Sequence, residues 1–148
     1  RRQHHARAAL GHLRAALATF CTSAELRFLM AVLQLHPRDF SAWQAQLGPD
    51  AHILLIDVRE AWELETAAIA PRAGIDFLHV SLGEFVAKLE HIKAQTRDDS
   101  HIVCLCHHGV RSMRAAQFLA AQGFDQVVNI EGGIDAWATA LEPSVARY

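Results

Sequence analysis

Cysteine is scarce in this chain: Cys21, Cys104 and Cys106 are the only three in 148 residues. Thiols so few and so placed cannot staple a small secreted scaffold, and their use favours a reducing compartment. A cytoplasmic location is the expectation that follows. Long apolar runs are missing too. The nearest candidate, 15–35, is interrupted by Glu25 and Arg27, so no stretch reads as a membrane span. Charge of one sign is not in excess. A formal net charge of -2 gives no overall bias toward nucleic acid or a membrane surface. Internal repeats, low-complexity tracts, a Walker loop and a serine triad are all absent.

What is present suits one globular domain. Apolar residues make up 51% and charged residues 20% of the chain, enough for a sizeable core. Residues 1–35 differ from the rest. Leu10, Leu13, Leu17 and Phe20 recur at helical spacing. Thr22 to Glu25 has capping-box spacing, which predicts a second helix from about Ala24 through Leu26, Leu29, Met30 and Leu33. This segment is read as a helical extension that packs on the domain or dimerises with a second copy. The other reading is that Met30 is the natural start and the upstream residues are not functional. Arg1, Arg2, Arg7 and Arg14 precede the first carboxylate, Glu25, as in a targeting peptide, but the apolar part that follows is weak.

From residue 36 to 148 strands and helices alternate. Pro37 suits the first turn of a helix carrying Phe40, Trp43 and Leu47, and Gly48-Pro49-Asp50 stops it. Ile53 to Val58 is an almost unbroken apolar run, the mark of a strand buried on both faces. A short helical turn over 61–65 follows, then a strand over 77–80. Leu82, Phe85, Val86, Leu89 and Ile92 predict one amphipathic helix with Ser81 as N-cap. A strand over 101–106, a helix from about Ser112 to Gln122, a strand over 127–130, a Gly132-Gly133 turn and a helix over 134–141 complete the pattern. Such alternation defines an α/β fold with a mainly parallel sheet.

The chemistry concentrates at Cys106-His107-His108-Gly109-Val110-Arg111-Ser112. Ligands of α/β sheets bind at the carboxyl ends of strands, where Cys106 falls. The helix beginning near Ser112 directs free N–H groups and its positive end toward the loop. Gly109 permits the tight turn, Arg111 adds a fixed cation, and His107 and His108 are further donors. All of these favour a thiolate, the competent nucleophile, and an anion beside it. Asp57 and Arg59, at the end of another strand, read as supporting residues that bind loop amides and pair charge.

Residues 36 to 141 resemble the single-domain rhodaneses of the thiosulfate sulfurtransferase superfamily. Three blocks in order carry the resemblance: Leu55-Ile56-Asp57-Val58-Arg59-Glu60-Ala61-Trp62-Glu63, Cys106 to Ser112, and Ile130-Glu131-Gly132-Gly133-Ile134-Asp135-Ala136-Trp137. It implies a five-stranded parallel sheet between two helical layers. It also implies that Cys106 takes a sulfane sulfur from thiosulfate or a related donor and, as a persulfide, passes it to cyanide, a cellular thiol or a protein acceptor. Residues 107–112 would then bind the substrate. No cofactor and no metal are expected. Cys104, Cys106, His107 and His108 are too compressed for the usual zinc spacing. Ala61 stands where relatives often carry proline, and Ala70 to Ala73 departs from their usual turn.

Cys104 lies two residues before Cys106, about 6.6 Å away on an extended strand, at the outer limit for a disulfide. It reads as a core thiol. A related phosphatase group uses the same fold with Cys and Arg, but its loop is a residue longer than the four-residue gap between Cys106 and Arg111. The smaller cradle favours sulfur over a phosphoryl group. A module that relays sulfur to other proteins is the remaining alternative.

Overall fold

The structure is a computed structural model and describes residues 32–148. The first helix expected upstream lies outside the described residues, as does the second up to residue 31. Five parallel strands form one sheet in the order β1-β5-β4-β2-β3. In chain order these are β1 (Val32–Leu35), β2 (Ile53–Asp57), β3 (Ile75–His79), β4 (His101–Leu105) and β5 (Val127–Ile130). The helices are α1 (Pro37–Leu47), α2 (Ala61–Thr66), α3 (Leu89–Ala94), α4 (Val110–Ala121) and α5 (Gly133–Ala140).

Strand alternation divides the core into two layers. Ile53 and Leu55 of β2 and Val103 and Leu105 of β4 face one side, where Phe40 of α1 and Trp137 of α5 meet edge-on at 4.8 Å. Leu54, Ile56, Ile102 and Cys104 face the other, against Ala115, Ala116 and Leu119 of α4 and Ile92 of α3. All five residues of β2 are buried, as its unbroken apolar run requires. Burying each large side chain stabilises the fold by roughly 1.5–3 kcal/mol relative to exposure. Cys106 continues the face of Ile102 and Cys104, so its thiol points beneath α4.

Two expectations are corrected. Val32–Leu35, read as the tail of a helix through Leu33 and as lying outside a domain beginning at residue 36, is an edge strand. Its register runs from Val32 opposite Val127 to Leu35 opposite Ile130. Pairing with β5 overrides the local helical spacing, and the sheet domain already includes Val32. His36 is the only residue between β1 and α1, and its Nδ1 caps α1 by accepting from the Arg38 N–H at 3.2 Å. The single amphipathic helix over 82–92 is also broken. A 3-10 turn over Leu82–Glu84 and further turns precede α3. The Leu82 N–H is taken by the Val58 carbonyl at 3.0 Å, and Ser81 donates to the Glu84 side chain instead of capping a helix.

Candidate active site

Cys106 follows the last residue of β4 and is almost wholly buried. Its Sγ accepts the Gly109 N–H at 3.0 Å and the Ser112 hydroxyl at 3.2 Å. Gly109 holds φ +97, a left-handed conformation that L side chains rarely adopt, and this turns its N–H back onto the sulfur. The same residue is the N-cap of α4. The Val110, Arg111 and Ser112 amides come before the first bond of the helix, from Met113 N–H to Gly109 O, so they carry the free positive end of α4.

The loop is held from outside by α5. Ile134 N–H donates to Cys106 O at 2.8 Å and Asp135 N–H to His107 O at 3.2 Å. Fixing those carbonyls outward leaves the loop amides for the sulfur side. Gly133 allows this approach, because a Cβ there would collide with the Cys106 and His107 carbonyls. A second tether is Asn129, fully buried on β5. Its Nδ2 donates to Gly109 O at 3.2 Å and to Gln34 Oε1 of the edge strand at 2.8 Å.

Asp57 and Arg59 form a buried ion pair with contacts of 2.7 to 3.1 Å. Arg59 also donates to the Ala67 carbonyl at 2.9 Å and to the Tyr148 hydroxyl at 2.9 Å. Arg111, expected to face an anion, is gripped at 2.7 and 2.8 Å by both oxygens of Glu63. Glu63 accepts the Glu60 N–H at 2.8 Å and the Tyr148 hydroxyl at 3.0 Å as well. The Arg111 guanidinium first, and these further bonds, hold the Glu63 carboxyl down at about 2 against the opposing effect of burial.

The remaining loop side chains do not converge on the sulfur. The rings of His108, His107 and Tyr148 stack, with centroid spacings of 3.8 and 4.0 Å. Burial and then the neighbouring His108 hold His107 below its ordinary range. The Val110 side chain is exposed. Cys104 is fully buried, and burial pushes its thiol up. Glu63, Asn129, Gly133 and Tyr148 were not singled out from the sequence as site residues. The Glu60-to-Glu63 spacing, that of a capping box at the start of α2, is the sequence signal for Glu63. Among the described residues no group of three or more His, Cys, Asp or Glu side chains is arranged to hold a metal ion. No helix among them is long and apolar enough to cross a membrane.

A parallel α/β sheet with a cysteine in a strand-to-helix amide loop defines a class, and comparison with known proteins gives the family. The rhodanese-like domain profile matches residues 38–140, and the chain belongs to that family. It is 34% identical over 103 residues to a putative sulfurtransferase, YtwF, of Bacillus subtilis (strain 168), covering 70% of this chain and 90% of the relative. Thiosulfate sulfurtransferase GlpE of Glaesserella parasuis serovar 5 is 28% identical over 107 residues, covering 72% of this chain and 89% of that protein. Among solved structures, a rhodanese-related protein from Thermoplasma volcanium matches with TM-score 0.58 and 25% identity, covering 78% of this chain and 99% of that one.

Proposed function

We propose that this domain is a sulfurtransferase that carries a sulfane sulfur on Cys106, taken from thiosulfate or a related persulfide and delivered to a thiophilic acceptor. The observation that carries this reading is the double hydrogen bond to Cys106 Sγ from Gly109 and Ser112 at the open end of α4. Donors aimed at Sγ stabilise negative charge on it as thiolate, and the other amides of the loop stand ready for the outer sulfur of a persulfide. The loop amides of 107–112 form the cradle. Asp57, Arg59, Glu63 and Arg111 brace it as two ion pairs. The four-residue gap to Arg111 and the sulfurtransferase names of the relatives both favour sulfur over phosphate.

The attack is a thiol–disulfide type exchange. The Cys106 thiolate bonds to the sulfane sulfur, and the donor's S–S bond breaks toward its leaving group, which is sulfite when the donor is thiosulfate. An acceptor thiolate or cyanide then removes that sulfur. The test is intact mass of the full chain after exposure to a donor. The parent is expected to gain one sulfur and Cys106→Ser none, with the variant still folded. A sulfur adduct on the serine variant, or none on the parent with any donor, would overturn the proposal.

A further inference from the structure

The cations bordering Cys106 are already matched by carboxylates. Arg111, close enough to feel the Cys106 charge, has both terminal nitrogens on Glu63. Arg59 is buried and held by Asp57. His107 lies inside a ring stack, where burial opposes its protonation. Among the described residues, the arginines flanking the cradle are thus held by carboxylates, and the cradle acts on the sulfur chiefly through amide dipoles.

Among the described residues, large apolar side chains stand exposed beside the cradle. Trp62 is 61% exposed and Val110 67% exposed, and each immediately precedes one member of the Glu63–Arg111 pair. Trp62 meets Tyr148 edge-on at 6.3 Å, and Tyr148 continues into the stack with His107 and His108. A line of rings thus leads to the loop that holds the thiol.

Thiosulfate is a strongly hydrated dianion that is costly to desolvate, whereas a helix N-terminus supplies only roughly half a positive charge. An organic persulfide, R–S–SH, brings one sulfane sulfur, at most one charge, and a carbon body that suits exposed rings. We infer that the donor used by this site is an organic persulfide in preference to thiosulfate, an inference that rests on the Cys106 reading above. In that step the Cys106 thiolate attacks the terminal sulfur. The donor S–S bond breaks, its electron pair leaves with R–S⁻, and a new S–S bond forms on Cys106. The proton stays on the transferred sulfur, and no outside oxidant or reductant is required.

The test compares loading rates of the full chain with benzyl persulfide, whose only ionisable group is the persulfide itself, and with thiosulfate, read as sulfur added to Cys106 by mass. Loading at least tenfold faster from the organic persulfide at equal concentration is expected. Glu63→Gln, which frees Arg111, should shift the rate ratio toward thiosulfate at least fivefold. Trp62→Ser, a surface change that spares the core, should shift it the same way by slowing the persulfide. Thiosulfate loading as fast as the persulfide on the parent overturns this inference alone. Failure of both donors overturns the sulfur-transfer reading and this inference with it. An unmoved ratio in folded Glu63→Gln and Trp62→Ser overturns the charge and rim argument.

Discussion

The Ile134 N–H donates to the Cys106 carbonyl at 2.8 Å, so α5 sets the pose of the nucleophile's own backbone. Gly133 makes the contact feasible. It holds φ +62, and a Cβ there would overlap the Cys106 and His107 carbonyl groups. Gly133→Ala should therefore push the loop off α5. We expect a loss of roughly 2–4 kcal/mol in unfolding free energy, from backbone strain and broken loop bonds. Sulfur loading should fall at least tenfold. Urea melts and mass-detected loading of the same preparation check both. An Ala variant with parent-like loading would show that the clamp is dispensable.

Glu63 gives the fold a definite acid response. Its carboxyl is held at about 2, below its ordinary value near 4.5, by Arg111 first. A carboxylate with a depressed native value stabilises the fold above its unfolded value. That contribution is lost as pH falls through the native one. Unfolding free energy should accordingly drop by on the order of 3 kcal/mol between pH 5 and pH 2 from this group. Glu63 is nearly fully buried, so solvent screening is weak. Glu63→Gln should flatten that part of the pH profile in denaturant melts. An equally steep profile in the variant would assign the acid response to other carboxylates.

The sheet and the nucleophile's position were legible because their signals are local. Ile53 to Val58 announces a buried strand by composition, and Cys106 stands where an apolar run meets a glycine turn. Strand β1 was not legible. Four residues following a helix-spaced run carry no period of their own, and only the pairing with Val127 to Ile130 makes them a strand. The Glu63–Arg111 pair spans 48 positions and Tyr148–Glu63 spans 85, so no spacing rule could join them. Arg111 was recognisable as a charge beside the loop. Its commitment to Glu63 instead of to solvent or ligand is a tertiary fact.

Cys104 should take no part in the chemistry despite lying two residues from Cys106. It is fully buried on β4 beneath α4, and burial, then the nearby Cys106, push its thiol up. A thiol kept protonated is a poor nucleophile. Cys104→Ala should cost about 1 kcal/mol for the small cavity and still load one sulfur on Cys106. Peptide mapping after iodoacetamide at pH 7 should find Cys106 modified and Cys104 intact. Loss of loading in a folded Cys104→Ala protein would instead give Cys104 a part in forming the persulfide.

Tyr148 does two jobs that substitution can separate. Its hydroxyl joins Arg59 and Glu63 at 2.9 and 3.0 Å, and its ring lies parallel to His107 at 4.0 Å. Tyr148→Phe keeps the ring and removes the bridge. With one buried donor left short of a partner, about 1–2 kcal/mol of stability should go. Tyr148→Ala removes the ring as well and opens His107 to water. Burial is the largest influence holding His107 down, so its pKa should rise toward the ordinary value near 6.5 in the alanine variant and move less in the phenylalanine one. An NMR titration of the His107 ring protons reads this directly, and loss of the Tyr148 ring current marks the broken stack. If both variants titrate alike, the His107 environment is set by His108 and the loop, and the Tyr148 ring is a passive cover.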